Sequence, residues 1–141
     1  MSAEALLPRL DRVTRTGDGR WVARCPGHDD NGPSLSIRDV GDGRTLIYCF
    51  AGCETRDVLA AIGATWTDLY PPRKSTDPPQ RRRREPLTTA SDALKCIAFE
   101  VVLVGIAAAD MARGEKLTES DRQRLLVAAG RIARAKDAAN A

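Results

Sequence analysis

Four side chains in this sequence are of the types and spacings that hold a metal. Cys25 and His28 bracket a Cys-Pro-Gly-His turn, and Cys49 and Cys53 bracket a Cys-Phe-Ala-Gly-Cys turn. Thiolate sulfur and imidazole nitrogen are ligands zinc favours, four at a time at tetrahedral corners. Two ligands that are two or three residues apart fit on one tight turn, and Gly27 and Gly52 let each turn close without a Cβ clash. The residues between the turns then form a hairpin that returns the second turn to the first. A closed Cys3His set leaves no open coordination position, so a single zinc ion there is expected to be structural rather than catalytic.

Two other readings of the same residues are buried thiols beside a lone histidine, and a disulfide. His28 is the only histidine in the chain, and the paired spacing points to metal. The N-terminus has no stretch like a secretory signal, so a reducing, cytoplasmic setting is expected, which disfavours the disulfide. Cys96 lies away from the cluster in an apolar helical run and reads as a small buried hydrophobe.

The elements that must position these ligands follow from periodicity. Leu6, Leu7, Leu10 and Val13 suggest a first helix over residues 2–13, with Pro8 delaying or kinking it. Residues 20–24 alternate Trp21 and Ala23 against Val22 and Arg24 as a strand. A second strand over residues 34–40 puts Leu35 and Ile37 on one face, and Gly41-Asp42-Gly43 turns the chain. A third strand over residues 44–50 puts Leu46 and Tyr48 opposite Ile47. The expected fold is α+β: a small three-stranded antiparallel zinc ribbon with flanking helices, then an antiparallel helical hairpin. A helix over residues 55–63 follows the second turn and stops at Gly63. Trp66, Leu69 and Tyr70 cover its open end, with Trp66 read as core.

The chain has 141 residues and a net charge of +3. Three segments are expected: a zinc-ribbon domain over residues 1–70, a basic proline-rich linker over 71–90 and a helical hairpin over 91–141. Their net charges, counted from the sequence, are −2, +4 and +1. A module this small has little core, so a structural metal is the expected staple. In the hairpin, Leu94, Ile97, Val101, Val104 and Met111 leave the first helix little polar surface, and Thr118 with Asp121 resembles a capping box for the second. Glu100 interrupts the first helix's apolar run, which is too short for a membrane span. So apolar a hairpin should dock on the zinc module, on another copy of itself or on a partner.

Residues 20–70 resemble the zinc-binding domain of bacterial and phage DnaG-type DNA primases. The resemblance rests on Cys25-Pro26-Gly27-His28, the acidic turn Asp29-Asp30-Asn31-Gly32, the Pro33-Ser34-Leu35-Ser36-Ile37 strand and Tyr48-Cys49-Phe50-Ala51-Gly52-Cys53. It covers about a third of the chain. Three residues separate the last two cysteines where cellular primases commonly have two, and phage-type variants show the longer form. The resemblance implies contact with single-stranded template, beside a separate polymerase domain that holds catalytic carboxylates and magnesium. This chain has no room for that domain. Asp29, Asp30, Asp39 and Asp42 read as turn chemistry, so no catalytic residues are assigned and the chain alone is not expected to make primers.

Candidate nucleic-acid contacts are Trp21, Tyr48 and Phe50 for stacking, and Arg20, Arg24, Arg38 and Arg44 for phosphates. At least two of these aromatics are also needed as core. Arg81, Arg82, Arg83 and Arg84 in the linker are a further phosphate contact or a solvated tether. Two functional readings follow. One is a primase-type zinc module that binds single-stranded DNA in phage or mobile-element replication, working with a primase polymerase domain or a replicative helicase. The other is a zinc-scaffolded interaction protein, a replication adaptor or inhibitor, acting through its C-terminal hairpin. Self-association through those helices is possible in either case.

Overall fold

The computed structural model describes residues 2–72 and 86–140. Its centre is an antiparallel sheet in chain order: β1 (Thr14–Gly17), β2 (Arg20–Ala23), β3 (Leu35–Asp39) and β4 (Thr45–Cys49). The sheet has four strands, not the expected three. The extra strand, β1, pairs with β2 through Thr14–Val22 and Arg15–Trp21. It is an edge strand whose first two residues are exposed, so it lacks the apolar alternation that marks a half-buried strand.

Register decides what each face carries. Val22 of β2 stands opposite Ser36 of β3, which stands opposite Tyr48 of β4. Arg20, Arg38 and Leu46 share that face by the period-two rule. The other face carries Trp21, Ala23, Leu35, Ile37, Ile47 and Cys49. The alternation expected for these strands is the one observed.

The two faces are covered by different parts of the chain. Ala23, Leu35, Ile37 and Cys49 pack with Val58 of α2 (Thr55–Ala61) and with Leu7, Leu10 and Val13. The N-terminal segment is not one helix over residues 2–13. It is a short α1 (Ser2–Leu6), then a 3-10 turn (Leu7–Arg9) that contains Pro8, then an extended exit. The apolar spacing marked burial correctly, but proline cannot donate within a continuous α-helix. Leu6, Leu59 and Leu69 form a third cluster under α3 (Trp66–Leu69).

The opposite face is covered by the C-terminal hairpin, α4 (Ala90–Ala112) and α5 (Glu119–Ala139). Val22 and Phe50 pack with Ala93, Cys96 and Ile97 of α4 and with Ala135 and Ala138 of α5. Cys96 is buried there, as expected, and burial beside Asp92 pushes its thiol well above the ordinary range. Polar contacts fasten the start of α4. Arg20 donates to Oγ1 of Thr89 at 2.9 Å and lies 3.7 Å from the buried carboxylate of Asp92. Ser36 and Thr88 share a hydrogen bond of 2.9 Å, and Arg38 donates to the Pro86 carbonyl at 2.9 Å. Residues 86–89, expected in the linker, are therefore tied to the sheet. The expected capping box at Thr118 and Asp121 starts α5.

Glu100 is the polar residue that locks the hairpin. It is 3 % exposed and lies 2.8 Å from Arg124 and 2.7 Å from Arg131, both on α5. Burial pushes its carboxyl up, but the two guanidinium groups outweigh this and hold it below its ordinary value. A carboxylate held low in the folded state adds stability above about pH 4–5 and loses it as pH falls through the folded pKa. Glu100→Gln should therefore lower the thermal midpoint at neutral pH, by about 1–3 kcal/mol of stability. The gap between wild type and variant should narrow in acid. Parallel melting curves from neutral pH to pH 3 would contradict this.

Candidate metal centre

The Cys25, His28, Cys49 and Cys53 side chains meet at one end of the sheet. Their ligand atoms all lie within 4.8 Å of one another, close enough to hold one metal ion. Cys25 follows β2, Cys49 ends β4, and the β2–β3 and β3–β4 pairings bring the two turns side by side. Leu35 sits opposite Ala23 on one side and Cys49 on the other. The ladder thus sets the separation of the two cysteine turns.

Both glycines act as the sequence suggests. A Cβ on Gly27 would stand 3.2 Å from the Cys53 sulfur and 3.6 Å from that of Cys25, so any larger residue would push into the ligand cluster. Gly52 has φ of +97° and its amide donates to the Cys49 carbonyl at 3.1 Å. The guanidinium of Arg134, on α5, lies across it, so the hairpin reaches the second metal turn.

His28 is oriented by Asp30, which the sequence reading treated as a turn former, and by Ser34, which it treated as the start of a strand. Its Nδ1 lies 3.3 Å from the Cys53 sulfur and 3.8 Å from that of Cys49. Its Nε2 points the other way, 3.4 Å from Oγ of Ser34 and 3.8 Å from Oδ1 of Asp30. Asp30 is buried and accepts hydrogen bonds from the Cys25 amide at 2.9 Å, Ser34 Oγ at 2.7 Å and the Gly32 amide at 3.3 Å. A histidine that ligates through one nitrogen commonly donates from the other to such a partner, which fixes its tautomer and ring angle. Asp30 does the local backbone bonding expected of it and also braces the imidazole. The signal for this was the two-residue step from His28 to Asp30, inside a turn that also contains Ser34.

The thiols are poised unequally. Cys25 donates to Cys49, which with burial raises the Cys25 thiol far above its usual value. The same bond, opposed by burial and helped by backbone amides and His28, lowers Cys49 to about 5. Burial also raises Cys53. One thiolate is thus already favoured, and a bound cation would draw the remaining protons off.

The candidate nucleic-acid contacts are not brought together on one open surface. Arg20, Arg38, Tyr48 and Phe50 lie on the side that the hairpin covers. Arg20 and Arg38 are held by the contacts described above. Phe50 is 1 % exposed and meets Tyr48 edge to face at 5.1 Å, so it offers no ring face to a base. Arg24 binds Asp11 and the Asp30 carbonyl, and Arg44 binds Asp42 at 2.6 Å. Trp21 is half-buried on the opposite face. Arg81, Arg82, Arg83 and Arg84 lie outside the described residues.

Trp66, read as core, is not. It is 52 % exposed and stacks on Tyr70, itself 39 % exposed, with centroids 6.0 Å apart and planes 20° from parallel. Leu69 alone of that segment is fully buried. The indole lines an open groove of about 310 Å³ with Tyr48, Cys53 and Arg56, beside the second metal turn. In a chain with only six aromatic residues, two of them stacked in solvent mark a surface worth testing.

Among the described residues no helix is long and apolar enough to cross a membrane. Comparison with known family profiles, curated proteins and solved structures found no match to this chain.

Proposed function

We propose that this protein is a structural zinc module of the primase type that engages single-stranded DNA, acting in phage or mobile-element replication beside a separate polymerase or helicase. The observation that carries this reading is the closed cluster of three sulfurs and one imidazole at the end of an antiparallel ribbon. Soft thiolates with one imidazole in a four-ligand set suit zinc above the hard divalent cations. Cys25, His28, Cys49 and Cys53 would hold the ion, and its part is to cross-link the two turns. The order of motifs along residues 20–70 supports the primase-type assignment.

The hairpin-covered face is a poor path for template. The open side near the second metal turn suits it better, with Trp66 and Tyr70 as the stacking platform and Arg56 beside it. Stacking on an exposed aromatic contributes about 1–3 kcal/mol per base. Fluorescence anisotropy of a labelled single-stranded oligonucleotide with the metal-loaded full chain tests this. Trp66→Ala should weaken binding by roughly tenfold or more, and alanine at positions 81–84 should flatten the dependence on salt. A full chain that fails to bind at low salt overturns the reading.

A second reading is an interaction module scaffolded by zinc. It is favoured by one observation: of eleven large apolar side chains exposed among the described residues, eight belong to the hairpin. Specific capture of a replication protein, with no affinity for DNA, would support it over the first.

A further inference from the structure

We infer that the outer face of α4 is a dimer interface, on which a second copy of the chain packs its own α4 antiparallel, with the two-fold axis at Gly105. This does not depend on nucleic-acid binding by the ribbon.

The face is too apolar for solvent. Leu94, Val102 and Val101 are 61, 60 and 44 % exposed, and Phe99, Ile106 and Met111 on its two flanks are more than half exposed. The charged residues between Lys95 and Arg113 are Glu100 and Asp110. Glu100 is buried against α5, and Asp110 pairs with Arg113. A helix that is apolar nearly all round is ordinarily buried on every side. With about half of each side chain open, α4 exposes on the order of 500 Å² of apolar surface, so two copies would bury about 1,000 Å² between them, the size a specific interface needs.

Gly105 points to where the partner sits. It lies in the middle of a long helix, where glycine is the poorest former after proline. Nothing within its own chain demands it, because a Cβ built there meets no atom within 4 Å. Successive helical residues turn by about 100°, which puts Ala98, Val101, Val102, Ala108, Ala109 and Ala112 within about 60° of Gly105. Glycine flanked by alanine on one face lets a second backbone come close.

The stripe is complementary to itself in one direction. With the two-fold at Gly105, an antiparallel partner sets Ala98 against Ala112, Val101 against Ala109 and Val102 against Ala108. Each valine then meets an alanine, as interdigitating layers require. A parallel pairing would set Val102 against Val102. A two-fold interface is isologous, which is what a surface that complements itself in this way can form. Two helical hairpins joined so make a four-helix arrangement.

Sedimentation velocity on the metal-loaded full chain, over a wide range of concentration, should show a dimer. Val102→Glu should abolish it while circular dichroism stays unchanged, since Val102 is on the surface. Under mild oxidation Gly105→Cys should form a covalent dimer, measured against the unaltered chain as baseline, and Arg113→Cys should not. A chain that is monomeric at every concentration overturns the proposal. So does a dimer that survives Val102→Glu, or one that cross-links through Arg113→Cys and not Gly105→Cys. None of these readouts involves DNA, so their failure is distinct from failure of the template reading.

Discussion

Cys49→Ser should release stoichiometric zinc and unfold the ribbon. The sulfur it removes is the one at the end of β4, the thiol most readily ionised of the set. Structural zinc in small modules contributes about 10–16 kcal/mol of apparent binding free energy at neutral pH, and most of it is folding free energy. A domain of this size has only about 5–15 kcal/mol of net stability, so losing the ion should exceed what the apolar clusters alone can hold. A strong chelator should have the same effect on the wild type. Amide NMR spectra would show the signals of residues 20–70 collapsing to unfolded shifts. The apo chain should also bind zinc with release of protons, because the Cys25 and Cys53 thiols are held protonated by their surroundings. A metal-free Cys49→Ser protein with a dispersed, wild-type-like spectrum would remove the structural role.

The four clustered side chains were readable from sequence because a metal site imposes its geometry on local spacing. Two residues between Cys25 and His28 and three between Cys49 and Cys53 define two turns without knowledge of the rest of the chain. The strand faces were readable for a similar reason: period two is local, and Leu35 with Ile37 or Leu46 with Tyr48 state it in a few residues. What was hidden depends on pairing across long separations. β1 exists because β2 offers it a hydrogen-bonded edge, and nothing in Thr14–Gly17 signals burial. Trp66 was read as core because a small module needs large side chains, yet Leu69 takes that place and the indole is left outside. The arginines of the sheet looked like phosphate contacts because sequence does not show that Thr89, Asp92 and Pro86 return to bind two of them. The joint between sheet and hairpin was open for the same reason: the apolar surface of α4 demanded a partner, and only the fold shows that one side of it is spent on Val22 and Phe50.

That joint is the basis of the second large effect. Phe50→Ala should cost about 3–5 kcal/mol, the usual range for deleting a buried phenyl ring. Phe50 is 1 % exposed and packs with Ala93, Cys96 and Ile97 of α4, with Tyr48 against its edge at 5.1 Å. Most of its neighbours across the joint are small, so they cannot swing in to fill the space, and the cavity should persist. Phe50 also directly follows Cys49 of the candidate metal cluster, but its side chain faces the other side of the sheet, and the hydrogen bond from its amide to the Ser34 carbonyl at 2.9 Å does not need the ring. The loss should therefore fall on the docking of the hairpin and leave the metal in place. Urea titration should show a lower midpoint, and hydrogen exchange should show faster opening in α4 and α5 and near Val22, with stoichiometric zinc retained. If zinc is lost together with the hairpin's protection, the ribbon and hairpin form one cooperative unit in which the metal depends on the helices. If neither changes, the contact between Phe50 and α4 does not hold the two halves together.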